Sequence, residues 1–380
     1  KECLWMYETY HNEVEKGIIN NVVWSDVFIC PSCAKEIIYW NSSVDIEKRE
    51  INSDEIICSN CNSKHKKRDL DIAWDYVHDP NLNKTIKQIK QVPVYIYYSV
   101  GKKRYEKKVD QFDNSKIEEI KNLKFSHWYP TLRMPEGDEA RRNDRIGLTH
   151  IHHFFTKRNL YTLATFYNMI KKSKYFSNML FFFQASLNRA TKTNRFRFGG
   201  TGGLSGTLYI PSLILERNVI SLLEKKLKDF EKVLIDDSVN EQKTIVSTQS
   251  LTSIGLKENS VDYIFTDPPF GQNLMYSELN FIWEAWLKIL TNNEKEAIIN
   301  STQRKTLQDY QRLMEESFRV YFKVLKPGRW ITVEFSNSQA SVWNAIQDAI
   351  QKAGFIIANV SALDKKQGSF KAVTTTTAVK

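Results

Sequence analysis

Two prolines stop a strand in this chain, and the residue at that stop constrains the fold more than anything else in the sequence. Val261-Asp262-Tyr263-Ile264-Phe265-Thr266 is a short run rich in aromatic and branched residues, the composition of a buried strand. Pro268 and Pro269 follow it, and neither can donate to a sheet ladder. Asp267 is therefore expected at the carboxyl end of a strand, ahead of a stiff turn and the ring of Phe270. In open α/β sheets, ligands bind at that edge. Such a tip suits attack by an exocyclic base amine. The amine lone pair is spread into the ring, so the nitrogen is a weak nucleophile until an acceptor takes its N–H. Asp267 offers one acceptor, the Pro268 carbonyl a second, and Phe270 a flat face for an unstacked base.

These residues resemble the amino-methylating DNA methyltransferases, whose catalytic tetrapeptide, Asp/Asn/Ser-Pro-Pro-aromatic, matches Asp267-Pro268-Pro269-Phe270. The resemblance implies S-adenosylmethionine as methyl donor and double-stranded DNA as partner. Asp in first place implies the N6 of a flipped adenine as acceptor, with cytosine N4 or an RNA base as alternatives. It also implies a prokaryotic, cytoplasmic protein, with a subunit of a restriction or other defence system as a further partner. A different class stays open: a non-catalytic zinc-ribbon DNA-binding subunit that keeps a degenerate methyltransferase fold. In the family, the strand before the catalytic one often ends in an acid near the adenine ring. Here that place falls on Gln249 or Ser250, so Gln249, Ser250 and Thr266 are the cofactor candidates. Phe198-Gly199-Gly200-Thr201-Gly202 has the spacing of the family's glycine loop, but the residues before it, Thr191 to Arg197, are polar and basic. The loop is expected either there or ahead of Lys1.

Cys30-Pro31-Ser32-Cys33 and Cys58-Ser59-Asn60-Cys61 form two knuckles about two dozen residues apart. That spacing fits a four-thiolate structural zinc site, Cys30, Cys33, Cys58 and Cys61, with no position left for a water. His65 is a possible substitute ligand, and Cys3 reads as a small buried hydrophobe. His150, His152 and His153 cluster beside apolar residues; a structural role outweighs a metal role there.

Lys plus Arg number 54 against 44 acids, a net charge of +10, and such a balance favours a polyanionic partner. Val92–Val100, a turn at Gly101 and the basic residues after it read as a hairpin, with Lys102, Lys103 and Arg104 facing phosphates. Arg189, Arg195 and Arg197, interleaved with Phe196 and Phe198, read as a second DNA-contacting stretch. The chain has 380 residues, room for two or three domains, and no apolar run of the ~18 residues that a membrane span needs.

Patterning predicts helices over 1–16, 154–172, 175–187, 213–230, 277–290, 310–325 and 342–352, and strands over 18–28, 244–250, 261–265, 330–335, 355–363 and 372–379. The alternation at the C-terminal end implies an α/β, Rossmann-like methyltransferase sheet, mostly parallel with an antiparallel last strand and helices on both faces. The expected domains are 1–25 (start of the catalytic domain), 26–75 (zinc ribbon), 76–210 (basic target-recognition insertion) and 211–380 (catalytic domain).

Overall fold

The computed structural model describes residues 2–52, 55–198, 206–234 and 244–361. They divide into two units. The first holds Lys1–Met134, Arg141–Asn240 and Ile282–Ile289; the second holds Pro135–Ala140, Glu241–Phe281 and Leu290–Lys380.

The first unit is built on one long strand. A 3-10 turn over Leu4–Tyr7 leads into β1 (Glu8–His11), and β2 (Glu15–Ile29) returns antiparallel beside it. The helix expected over 1–16 is therefore a hairpin. Asn12 and Glu13, both left-handed at φ 49° and 62°, turn the chain, and Val14 completes the three-residue loop between the paired His11 and Glu15. Fifteen residues of strand span roughly 50 Å at about 3.3 Å each, more than any single partner covers, so β2 takes different neighbours along its length. β3 (Glu36–Ile38) and β4 (Asp71–Ile72) pair with its far end. β5 (Trp74–Asp79) and β6 (Lys84–Ile89) form a separate hairpin. β7 (Gln91–Val100) lies along most of β2 and turns at Gly101 into β8 (Lys103–Lys108), as the hairpin reading expects. β9 (Leu213–Arg217) pairs with Asn21–Ser25.

All these pairings are antiparallel, so the large sheet of this unit is not the parallel sheet expected of the C-terminal region. The helix expected over 213–230 also splits. Its first residues, Leu-Ile-Leu, are branched and complete the sheet edge as β9, and Asn218 then caps a helix with its Oδ1 accepting from Ile220 and Ser221 N–H. Among the described residues the longer helices of this unit are α1 (Gln111–Asn122), α2 (Lys157–Lys171), α3 (Phe176–Ala190) and α4 (Val219–Leu234). Asp110 and Asp113 form a capping box at the start of α1. The core gathers Val23, Phe28, Trp40, Tyr95, Phe196 and Leu215 on one side of the sheet.

In the second unit β10 (Val261–Thr266) runs parallel to β11 (Leu325–Val333), with Ile264 opposite Ile331 and Thr266 opposite Val333. α5 (Tyr276–Leu287) follows the proline tip, its residues from Ile282 onward counted with the first unit; α6 (Leu307–Val324) precedes β11 and α7 (Ala340–Lys352) follows it. Thr306 and Asp309 close a capping box at the start of α6. The inward faces of α6 and α7 (Tyr310, Met314, Phe318, Val342, Ile346) pack against Ile331 and Val333. The opposite face of the strand pair is open among the described residues: Tyr263, Phe265 and Trp330 are 55%, 61% and 65% exposed. The expectation of a strand buried on both faces is corrected for that reason, since the helices described here cover one side. Residues 244–250 form no strand, and neither do 355–361. The expected last strand, 372–379, lies outside the described residues.

Candidate functional site

Asp267 emerges exposed at the carboxyl end of β10. Among the described residues its carboxylate takes no hydrogen bond and stands open to a ligand; the Pro268 carbonyl is also without a hydrogen bond, on a buried residue. The loop beyond them is held from several sides. The buried Tyr310 hydroxyl, on the first turn of α6, donates to the Pro269 carbonyl at 2.8 Å. Asn337 Nδ2 donates to the Phe270 carbonyl, also at 2.8 Å. Asn337 is itself fixed, because its Oδ1 accepts from the Gln339 N–H and its carbonyl accepts from the Trp343 indole. The Phe270 ring, half-buried, meets Phe335 edge to face at 5.3 Å. Gly271 turns the chain at φ 68°, where a Cβ would stand 3.1 Å from Val342; only glycine takes that conformation freely.

Tyr276 stands close enough to Asp267 for the two to interact through space. Burial first, and then the Asp267 charge, push its phenol up, so it stays a neutral donor. Glu278, fully buried, accepts from the Glu139 and Ala140 N–H groups at 2.7 Å and from Asn300 Nδ2 at 2.6 Å. It thereby ties 135–140 and the 300–303 turn to α5, and Gly137 leaves the room, since a Cβ there would fall 2.0 Å from the Glu278 carboxyl carbon. Sequence reasoning found the tetrapeptide and missed these braces. Ser336-Asn337-Ser338 marked a polar strand tip, but nothing local aims its amide at a loop 67 residues away.

The cofactor candidates are less well placed. Gln249 is exposed in irregular chain, and its amide reaches only Ser247 Oγ. Ser250 Oγ contacts Thr252 Oγ1 at 2.9 Å. Thr266 Oγ1 contacts the Tyr321 hydroxyl at 3.1 Å. These three side chains form no cradle for a nucleoside. Phe198 packs on Phe196 with the Arg49 guanidinium above its ring, and the glycines after it lie outside the described residues.

The four knuckle cysteines converge. Cys30 Sγ lies 3.7 Å from Cys61 Sγ, and Cys33 Sγ lies 3.7 Å from Cys58 Sγ. All four sulfurs fall within 4.8 Å of one another. Thiolates about 2.3 Å from a tetrahedral zinc stand about 3.8 Å apart, so the spacing fits that ion. Each knuckle makes the same turn. Ala34 N–H donates to the Cys30 carbonyl and Asn62 N–H to the Cys58 carbonyl, with Ala34 and Asn62 left-handed at φ 57° and 56°. His65 Nε2 lies 3.5 Å from Cys30 Sγ and 2.7 Å from Ser63 Oγ, beside the sulfur set and outside it.

Asp79, His152 and His153 form a second buried cluster, with Asp79 Oδ2 2.6 Å from His152 Nε2 and 3.2 Å from His153 Nε2. The tautomer of His153 decides its reading. Its Nδ1 accepts from the Thr149 and His150 N–H groups, so a neutral ring carries its proton on Nε2 and donates it to Asp79. That nitrogen has no lone pair for a metal. The cluster is a hydrogen-bonded anchor between the end of β5 and the 3-10 turn Ile151–Phe154.

Lys102, Lys103 and Arg104 are exposed on the β7–β8 turn. Arg189 is exposed near the end of α3, and Arg195 and Arg197 are exposed on either side of the buried Phe196. All six belong to the first unit. Set against known families, residues 261–378 match the N6/N4 methyltransferase family model described as DNA methylase. No curated protein and no solved structure matches the chain.

Proposed function

We propose that this chain is a DNA methyltransferase that moves a methyl group to an exocyclic base amine, adenine N6 in the first instance, with S-adenosylmethionine as donor. The single observation that carries the reading is Asp267. It is an exposed carboxylate at the end of a parallel strand, beside an unpaired carbonyl, on a loop held by Tyr310 and Asn337 and inside the stretch matched by the DNA methylase family.

The base-side chemistry follows from those groups. A base swung out of the duplex lies against Phe270, a contact worth about 1–3 kcal/mol for stacking on an aromatic ring. Asp267 and the Pro268 carbonyl accept the two amino protons, which raises the nitrogen's electron density and orients its lone pair. Fixed acceptors in a fixed geometry supply rate without reorganisation. No cysteine is asked to be a nucleophile. The donor supplies an electrophilic methyl when bound. Gln249, Ser250 and Thr266 do not fit it as a set, so no step is routed through them. The zinc of Cys30, Cys33, Cys58 and Cys61 is structural in this reading, and duplex DNA is the partner of the basic first unit.

Asp267→Ala is expected to abolish transfer of labelled methyl to DNA while duplex binding, read by fluorescence anisotropy, stays within about twofold. Unchanged turnover in that variant would remove the catalytic assignment. Among the described residues Gln249, Ser250 and Thr266 form no cradle, which favours a second reading, a DNA-binding subunit that leaves the donor to another chain. Calorimetric titration of the wild-type chain with S-adenosylmethionine separates the two: no heat supports the subunit.

A further inference from the structure

The two cysteine knuckles are built alike, and one position breaks the likeness. In the first, the Cys30 N–H donates to the Lys35 carbonyl at 2.9 Å; in the second, the Cys58 N–H donates to the Ser63 carbonyl at 3.0 Å. Lys35 and Ser63 thus hold the same place in the two turns. Lys35 is exposed. Ser63 is half-buried, and its side chain turns onto the sulfurs: Ser63 Oγ lies 3.0 Å from Cys61 Sγ and 3.4 Å from Cys30 Sγ. One hydroxyl therefore reaches one thiol of each knuckle. Behind it stands His65, with Nε2 2.7 Å from Ser63 Oγ. The short pairing of Ile56–Ile57 with Lys64–His65 sets His65 opposite the fully buried Ile56, which fixes the place of the ring.

Counting protons decides which way these contacts run. A metal-bound cysteine is a thiolate and has no proton to give. The Ser63 hydroxyl has one. Ser63 is then the donor toward the sulfurs, with Cys61 the nearer, and only its lone pairs remain for His65. His65 Nε2 must carry a proton and donate it. A ring protonated there has no lone pair at that nitrogen for a metal, so His65 cannot both brace Ser63 and take a cysteine's place on the ion through Nε2. Charge favours the brace. Four thiolates around one divalent ion leave negative charge in excess, and donors aimed at sulfur spread it; hydrogen bonds to ionised acceptors are roughly twice as strong as neutral ones. Cys61 is the exposed member of the set, the thiolate that water reaches most readily, and it is the one Ser63 approaches most closely.

We infer that Ser63 and His65 form a hydrogen-bonded brace that holds the Cys61 and Cys30 thiolates around zinc and sets how tightly the knuckles keep the ion. Ser63 is the positioning residue, and His65 acts through it. The inference rests on the reading that the four cysteines bind zinc, and it leaves His65 out of the ligand set. Partners of this kind, which touch the ligands and not the metal, are typically worth about 10- to 100-fold in metal affinity.

The test uses the full chain, with zinc affinity read by competition against a chromogenic chelator and cobalt(II) as the spectroscopic probe. Ser63→Ala is expected to weaken zinc binding about 10- to 100-fold. It should also move the thiolate-to-cobalt charge-transfer band to lower energy, because a sulfur that loses a donor gives up its electron more readily. Ser63→Thr keeps the hydroxyl and is expected to restore both. His65→Ala should weaken zinc less. Ser63→Ala/His65→Ala should bind no more weakly than Ser63→Ala alone, since the ring works through the hydroxyl. Circular dichroism verifies the folding of each variant. A folded Ser63→Ala chain with wild-type zinc affinity and an unmoved band overturns the brace. A weakened site whose band stays in place, and that threonine does not restore, marks a packing role and overturns it too. Cobalt bands of three thiolates and one nitrogen in the wild type, lost in His65→Ala, make His65 a ligand and overturn it as well. Wild-type chain that takes up neither zinc nor cobalt overturns the zinc reading and the brace together, and leaves the methyl-transfer reading standing.

Discussion

The two units spend their aromatic residues in opposite ways. In the first, Trp286 is 0% exposed and meets Trp128, Phe155, Tyr167 and Phe183 at ring distances of 5.2–6.3 Å. In the second, Trp330 is 65% exposed on a strand pair covered on one side among the described residues. The first unit is held by burial and by four converging thiols. The second is organised around a loop whose hydrogen bonds fix two carbonyls and leave one carboxylate free. Packing in the one and hydrogen bonding of a loop in the other are different physics, and the difference can be tested by perturbing each in turn.

The largest effect is expected from the metal. Cys30 and Cys58 lie inside the cluster that holds Trp40, Tyr95 and Phe196, and a structural zinc contributes on the order of 10 kcal/mol to a site of this kind. Chelation, or Cys58→Ser, should abolish the near-ultraviolet signal of that cluster. A signal unchanged after zinc is stripped would break the claim that the first unit depends on the ion.

Next come two identical changes in unlike surroundings. Trp286→Ala should cost about 3–5 kcal/mol in urea unfolding, and Trp330→Ala no more than about 0.5 kcal/mol. Equal costs would mean that the face of Tyr263, Phe265 and Trp330 is covered in solution.

Asn337→Ala removes the amide that holds the Phe270 carbonyl. It should lower kcat roughly tenfold, as a misplaced acceptor costs rate before binding, with KM for DNA little changed and unfolding shifted by about 1 kcal/mol. A rise in KM alone would move Asn337 from positioning the loop to binding DNA.

The most graded effect is pH. Burial holds His153 at about 3, against about 6.5 in an unfolded chain. Asp79, although burial raises it, is held well below the usual carboxylate range by its bonds from His152 and His153. Below pH 6.5 the unfolded chain takes up a proton that the folded His153 refuses, so stability is complete above that pH and falls as pH drops toward 3. The carboxylate adds a further loss below its unfolded value near 3.9. Each such proton costs about 1.4 kcal/mol per pH unit. The urea midpoint of the first unit should therefore decline from pH 7 to 4.5, less steeply in His153→Gln, and a flat profile would remove the Asp79 anchor from the account.

What could be read from the residues alone followed the range of the forces involved. The strand at 261, its stop at Pro268, the hairpin at Gly101, the bodies of α6 and α7 and the two cysteine knuckles are set by neighbours a few residues away. The hairpin over 8–29 was missed because its two strands read as helix and strand when judged singly. Leu213–Arg217 reads as helix by composition and becomes strand because β2 has an edge left to fill.

The sequence by itself determined the local chemistry: a carboxylate before two rigid imino acids, and four thiols in pairs that can close on one ion. Both follow from covalent geometry within a few residues. Tertiary structure decided which carbonyls of the proline loop are tied and which acceptors stay open, because Tyr310 and Asn337 arrive from 41 and 67 residues away.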